Sequence, residues 1–183
     1  HWVARVSYPI EWKKQIIEPG IQAYTGKYVL PVDLRSTGVK AIPSFEFLDR
    51  RVAASFILYP KPLGIQAEYT IGEGPQYQPS NDSILVKKLS GGYAIISYKF
   101  DLKEGSSLIP FTRVQSYEGG KKHELDARSY NVREWETGIE WQVNRNLECT
   151  ATYVTSKRRF EDSKQKNNLQ SGHLLRLQVQ LNF

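Results

Sequence analysis

The stretch from Leu175 to Phe183 alternates strictly between apolar and polar side chains. Leu175, Leu177, Val179, Leu181 and Phe183 are apolar, and arginine, glutamine and asparagine lie between them. A period of two is typical of a β-strand, because successive side chains of a strand point to opposite faces of the sheet. The stretch therefore predicts a strand with one apolar and one polar face that continues to the aromatic residue at its end.

The rest of the chain contains further stretches of this kind. The clearest runs from Leu63 to Gly72, where apolar side chains alternate with glycine, glutamine, glutamate and threonine. Helical periodicity is limited to a short candidate at Ile10–Ile17, which Pro9 and Pro19 flank. Pattern and turn residues together predict an all-β fold of about nine strands. The expected strands cover residues 1–8, 20–30, 50–59, 63–72, 91–100, 108–118, 127–143, 147–156 and 175–183.

Length and composition restrict the class of protein. A chain of 183 residues fits one domain, which we take as residues 1–183. No apolar run approaches the ~20 residues of a membrane-spanning helix, which excludes a helical membrane protein. The net charge of +6 suits an anionic partner and equally a small soluble domain. No signal peptide precedes His1, so an exported protein would be present here in mature or truncated form.

The expected connections alternate in length along the chain. The long ones are residues 31–45, 73–88, 119–126 and 157–172, and the short ones are residues 9–18, 60–62, 101–107 and 144–146. Outer-membrane β-barrels combine short periplasmic turns with longer extracellular loops. The alternation therefore predicts an antiparallel transmembrane β-barrel with all the short turns on the periplasmic side.

The two faces of the expected strands differ in charge. The polar face carries Glu68, Glu136, Glu140, Glu148 and Arg176, whereas the apolar face is uncharged through the middle of most strands. A soluble β-protein would bury the apolar face, and a wide barrel would turn it toward lipid around a polar lumen. Alternation alone leaves both arrangements open. The sorted connections and the terminal Phe183 favour the barrel.

Several segments resemble a known family. Glu140–Leu147, Tyr153–Val154 and Leu175–Phe183 resemble the C-terminal end of the phosphate-selective porin O/P family. Leu63–Tyr69 is similar to a strand of that family that follows a short turn and carries a glycine, a glutamine, a glutamate and a tyrosine. The likeness covers roughly residues 51–183.

The resemblance implies a 16-stranded, homotrimeric outer-membrane barrel of a Gram-negative bacterium that conducts anions. With about nine strands, the chain would be the C-terminal part of such a barrel, and the inward-folded constriction loop would lie outside it. A closed barrel of eight or ten strands is the alternative if the strand count is wrong by one. The implied partners are outer-membrane lipid, lipopolysaccharide and the barrel-assembly machinery, which would recognise Leu175–Phe183.

Cations on the polar face are the candidate lumen-lining residues, because rings of arginine and lysine favour anions. The candidates are Arg5, Arg51, Lys99, Arg113, Arg128 and Arg176. The alternative is a mixed wall in which these cations pair with Glu68, Glu134, Glu136, Glu140 and Glu148 on neighbouring strands. Arg113 and Arg176 are the favoured anion contacts, since each lies in the middle of a strand.

Other residues have simpler expected roles. The basic loop residues could contact lipid phosphates, or could only be solvated; they are Lys157, Arg158, Arg159, Lys164 and Lys166. Aromatic residues expected at the bilayer interfaces are Tyr8, Tyr69, Tyr98, Trp135 and Trp141. Cys149 is expected to be a small lipid-facing hydrophobe.

The sequence offers no constellation for an enzyme. His1, His123 and His173 are scattered, and no zinc-type Cys/His spacing or phosphate-binding glycine loop is present. We therefore expect no cofactor and no nucleic-acid partner. The expected function is a porin for passive diffusion of small hydrophilic solutes, with anions such as phosphate as the favoured class. The alternatives are a soluble all-β binding or scaffold protein and a small closed outer-membrane barrel with a structural role.

Overall fold

The computed structural model describes residues 1–161 and 168–182, which form one antiparallel sheet of eleven strands. Three short 3-10 turns at Val32–Leu34, Lys103–Gly105 and Leu125–Ala127 are the helical segments of the described residues. None of them is long and apolar enough to cross a bilayer. The strands are β1 (Trp2–Ser7), β2 (Ile10–Trp12), β3 (Gln15–Val29), β4 (Glu46–Leu58), β5 (Leu63–Gln78), β6 (Ser83–Tyr98), β7 (Phe100–Asp101), β8 (Ser107–Gly120), β9 (Ser129–Gln142), β10 (Leu147–Phe160) and β11 (Leu169–Leu181).

The sheet has nine positions in the order β1-β3-β4-β5-β6-β8-β9-β10-β11, while β2 pairs with β3 and β7 with β8. The predicted count of about nine strands is therefore too low, because two breaks divide strands. Pro9, which has no N–H group for the ladder, lies in the first break. At the second, the N–H of Lys99 donates to the carbonyl oxygen of Pro62. Among the described residues β1 and β11 are the edges, and the sheet is not closed.

The expected long loop at residues 73–88 is wrong. β5 and β6 pair without interruption from Leu63↔Tyr98 to Gln78↔Ser83, so a hairpin of two long strands replaces the loop. The sequence hides these strand ends because glycine and proline, at Gly74 and Pro75, interrupt the apolar alternation. The hydrogen-bond ladder, unlike the alternation, continues to the end of β5.

The expected basic loop at residues 157–172 is also shorter than predicted. β10 continues to Phe160 and β11 begins at Leu169, so Lys157, Arg158 and Arg159 belong to a strand. Lys164, Lys166 and the terminal Phe183 lie outside the described residues. The segment at residues 9–18 likewise contains β2 and the start of β3, which the two-residue turn at Lys13 and Lys14 connects. Both turn residues have positive φ, as in the primed turns of tight hairpins.

The registers separate the side chains of the sheet into an apolar and a polar face. Tyr24 and Tyr28 share the polar face with Arg51, which lies opposite Tyr24. The apolar face is uncovered: 74% of Leu177 and 57% of Trp135 are exposed. Exposed apolar patches larger than a few hundred Å² are rare on monomeric soluble proteins. This face is therefore suited to contact with lipid or with another protein.

The uncharged band of the apolar face has the dimension of a bilayer core. Along β5 it extends from Leu63 to Ile71, or about 27 Å at ~3.4 Å per residue. A strand tilt of about 40° reduces this to about 21 Å along the membrane normal, close to the ~25 Å band of outer-membrane barrels.

A small buried core lies at the end of the sheet that carries the 30–45 connection. Leu30, Phe47 and Ile84 are each at most 2% exposed, and Leu34 and Phe45 pack against them. The connection also pairs with the β5–β6 turn, because the N–H of Lys40 donates to the carbonyl oxygen of Asp82 at 2.8 Å. The 30–45 connection is therefore a docked loop with a core of its own.

We predict that Leu30→Ala loosens this loop without disrupting the sheet. Removing a buried leucine side chain costs about 2–5 kcal/mol. Trypsin cleavage after Arg35 or Lys40 in the folded protein should therefore become faster. Leu85→Ala is the matched control, because Leu85 adjoins the core residue Ile84 in sequence but is exposed. Equal cleavage rates in the two variants would contradict the docking of the loop.

Candidate functional site

The polar face of β8–β11 is built around one carboxylate that two arginines share. Glu136 of β9 lies opposite Arg113 of β8, and their side chains approach to 3.5 Å. Arg176 of β11 extends across β10 and donates to the other oxygen of Glu136 at 2.9 Å. Glu136 is only 7% exposed, so its charge has lost most of its contact with water. The two arginines compensate for this loss. The group carries two positive charges and one negative charge.

Further hydrogen bonds hold Arg113 in position. Gln115 accepts a hydrogen bond from Arg113 and donates at 2.9 Å to Glu134. On the other side, the guanidinium group lies 5.4 Å from the centre of the Tyr93 ring. Cross-strand pairing thus places cations, carboxylates and amides in a connected network along the wall. Arg113 and Arg176 thus pair with Glu136, as the alternative from the sequence describes, and the lining of a lumen by these cations stays a prediction.

A second buried carboxylate lies at the end of the sheet that carries the docked loop. Asp49 of β4 is fully buried, and Arg51 donates to its Oδ1 at 3.0 Å. Lys122, from the connection between β8 and β9, donates to the other oxygen of Asp49. The ammonium group of Lys122 also lies 5.1 Å from the centre of the Tyr28 ring.

The contacts of Lys122 show that the 121–128 connection crosses the polar face. The connection follows β8, yet Lys122 and its carbonyl oxygen reach residues of β3 and β4. Four sheet positions, β4, β5, β6 and β8, separate β3 from β9. We name residues 121–128 the crossing loop. The expected constriction loop outside this chain stays a prediction, and the crossing loop is a separate segment that contacts the polar face.

Asp126 fixes the crossing loop to the docked loop. Its two carboxylate oxygens accept hydrogen bonds from the N–H and the hydroxyl group of Ser36, at 2.8 and 2.5 Å. Asp126 and Ala127 are buried and have φ of 54° and 51°, a region that residues other than glycine rarely occupy. Such a backbone is maintained only where the surroundings specify it, so the loop has a defined conformation.

The structure places four of the six candidate cations on the polar face within strands: Arg5, Arg51, Arg113 and Arg176. Two others differ from the prediction. Lys99 lies in the break between β6 and β7, where its ammonium group pairs with Asp101 at 3.3 Å. Arg128 precedes β9 instead of lying within it, because the crossing loop extends to this residue. Arg113 and Arg176 share one partner, Glu136.

The short-turn end of the sheet carries its own polar contact. Tyr59, which follows β4, donates a hydrogen bond at 3.0 Å to Glu18 of β3. This hydrogen bond raises the pKa of Tyr59 above its usual value.

The alternation of the sequence did not predict the contacts of Asp49, Lys122, Asp126 and Ser36. Their contacts join segments that are distant in sequence, and alternation carries no signal for such contacts. One local signal was present: aspartate is unfavourable inside a strand, and Asp49 is two residues from Arg51 on the same face. Within the described ranges, no group of three or more His, Cys, Asp or Glu residues could hold a metal ion.

A bilayer-sized apolar face opposite a charged, loop-covered wall is the arrangement of a porin. The model of the phosphate-selective porin O and P family matches residues 32–183, and the chain belongs to this family. Its members are channels of the Gram-negative outer membrane and not enzymes, so the outer membrane is the location of this protein. A search of curated proteins found no match.

We predict that Asp126→Ala releases the crossing loop. The variant removes both acceptors of Ser36, and hydrogen bonds to charged groups are each worth about 1.5–3 kcal/mol. Loss of both bonds should accelerate amide hydrogen exchange in residues 121–128 by about a hundredfold or more, and exchange in the middle of β9 should stay unchanged. Ser36→Ala keeps the backbone donor and should have a smaller effect. Unchanged exchange in Asp126→Ala would contradict the role of this contact.

Proposed function

We propose that this chain forms part of the wall of a 16-stranded outer-membrane porin barrel. The barrel would allow passive diffusion of small hydrophilic solutes, with anions such as phosphate as the favoured class. The observation that carries the proposal is the sheet itself, which has an uncovered apolar face of bilayer height on one side and Arg113, Glu136 and Arg176 on the other. Family membership supports the same assignment.

The free edges of the sheet support closure by further strands. β1 and β11 each pair with one neighbour among the described strands, and β11 is exposed along its whole length. In a bilayer, an open edge would leave backbone N–H and C=O groups without partners, which costs several kcal/mol per group. The proposal therefore treats residues 1–183 as one portion of a single barrel domain. Homotrimer formation, lipopolysaccharide contact and recognition of Leu175–Phe183 by the assembly machinery belong to the same proposal.

The crossing loop gives the proposed pore a narrow region. It covers the polar face near Asp49 and brings Lys121, Lys122 and Arg128 to the end of the sheet that carries the docked loop. The strand wall itself is nearly balanced in charge, because carboxylates lie beside most of its cations. The preference for anions would therefore depend mainly on the loop cations Lys121, Lys122 and Arg128.

A soluble binding protein is the weaker alternative. The buried apolar cluster consists of Leu30, Phe47 and Ile84 at one end of the sheet. The apolar side chains of β9, β10 and β11 lack any cover among the described residues. A soluble protein would need a partner over this entire face.

Planar-bilayer recording of the full-length protein tests the proposal, with Glu136→Gln as the informative variant. The wild type should conduct with a preference for anions. Glu136→Gln leaves Arg113 and Arg176 without their shared counter-charge, so the anion-to-cation permeability ratio should rise about twofold. This factor corresponds to ~0.5 kcal/mol, the interaction energy of two unit charges about 8 Å apart in water.

Glu118→Gln is the matched control, because Glu118 lies opposite Ser90 and Asn131 on the apolar side of β8. Its permeability ratio should equal that of the wild type. Absence of conductance, or a cation preference in the wild type, would contradict the porin proposal. An equal shift in both variants would contradict the assignment of Glu136 to the pore wall.

A further inference from the structure

Two cations face each other on the apolar side of the sheet. Arg133 of β9 lies directly opposite Lys157 of β10, and both are exposed. Arg159 follows on the same face, opposite Asn131. Like charges directly opposite each other destabilise a sheet. Neither Arg133 nor Lys157 has an ion pair with any residue in the described ranges, so the pair has no counter-charge there.

Other cations of the same face do have partners. Arg50 pairs with Glu73 at 2.7 Å, and Lys27 pairs with Glu46 at 2.6 Å. The sheet thus neutralises outward cations where a carboxylate is next to them. Arg133 and Lys157 instead have Ser116 and Ser171 as their outer neighbours in the register.

The position of the pair corresponds to the level of lipid phosphates. Arg133 is two residues beyond Trp135 on the same face of β9, or about 7 Å along the strand. Exposed tryptophans of membrane proteins lie at the headgroup interface, and Trp135 is exposed. Trp141, about 20 Å further along β9, is a second exposed tryptophan of that face. The two cations therefore lie just outside the apolar band.

An apolar groove of about 700 Å³ ends at this pair. Phe56 and Tyr69 bound the groove on the β4–β5 side, and Trp135 bounds it on the β9 side. Its floor consists of small residues, with Gly92 and Ala94 at its centre. A Cβ atom on Gly92 would lie 2.3 Å from a backbone oxygen and 2.7 Å from the Tyr69 ring. Glycine therefore fits this position without a clash, and the groove floor has no side chain there. A hydrogen bond of 2.7 Å from the Trp135 indole to Thr112 fixes the opposite wall.

We infer that this groove binds a phosphate-bearing lipid of the outer leaflet, the lipid A part of lipopolysaccharide. One acyl chain lies in the groove between Tyr69 and Trp135, and a lipid A phosphate accepts hydrogen bonds from Arg133 and Lys157. The anionic phosphate provides the counter-charge that the pair lacks. This assignment rests on the proposed membrane orientation, with the docked loop on the outer side.

Binding of purified, doubly phosphorylated lipid A to the detergent-solubilised full-length protein tests the inference. The double variant Arg133→Gln/Lys157→Gln should bind it about tenfold to a hundredfold more weakly, since it loses charge-assisted hydrogen bonds. Lys27→Gln, which removes an outward cation that already has a partner, should bind like the wild type. Dephosphorylated lipid A should bind the wild type as weakly as lipid A binds the double variant.

A second variant separates the acyl groove from the charges. Ser116→Phe adds bulk to the groove floor beside Arg133 and keeps both cations, so lipid A binding should weaken. Inorganic phosphate, which has no acyl chain, should not displace lipid A at equal concentration. Unchanged lipid A affinity in the double variant would overturn the inference.

Subunit assembly and conductance are measured on the same samples. A double variant that loses its oligomeric state but keeps its lipid A affinity would identify the groove as a subunit contact and overturn the inference. Normal conductance in the double variant, together with weakened lipid A binding, is the expected result. Failure of the porin proposal itself would instead appear as absence of conductance in the wild type.

Discussion

The continuous backbone hydrogen-bond ladder is the constraint on which the rest of this structure depends. It pairs nine sheet positions in order. The register of each strand pair then determines which side chains share a face. Because the period of a strand is two, a slip of one residue would bring Arg113, Glu136 and Arg176 to the apolar side. The ladder also satisfies the backbone groups that a bilayer could not satisfy. The two faces, the apolar groove and the charged contacts of the polar face all follow from one register.

The polar face balances charge instead of accumulating it. Asp49 and Glu136 are buried carboxylates, and each is held by two cations from different elements. Removing one partner of a buried pair costs about 3–5 kcal/mol, so these contacts specify where Lys122 and Arg176 lie. The carboxylates thereby position the cations of the proposed pore and lower its net positive charge. A wall with nearly balanced charges would allow passive diffusion with a preference for anions. It is less suited to tight binding of one ion.

The sequence was sufficient for the strands whose alternation is regular, and for the polar-face positions of Arg5, Arg51, Arg113 and Arg176. It was insufficient where the ladder continues without alternation, as in the β5–β6 hairpin, whose strand ends contain Gly74 and Pro75. It also could not provide the crossing loop, since the contacts of Lys122 with Asp49 and of Asp126 with Ser36 join residues far apart in the chain. Such contacts depend on the three-dimensional course of loops.

The orientation of the two faces is the central claim, and neighbouring residues of β9 test it directly. In the full-length protein with Cys149→Ser, single cysteines at Ile139 and Glu140 are treated in native outer membranes with a charged, membrane-impermeant thiol reagent added from outside. Glu140→Cys should react, because in the proposed barrel its side chain borders the aqueous passage. Ile139→Cys should stay unreactive until the membrane is dissolved, because in the proposed barrel it contacts lipid. Rapid reaction of Ile139→Cys with protection of Glu140→Cys would contradict the account.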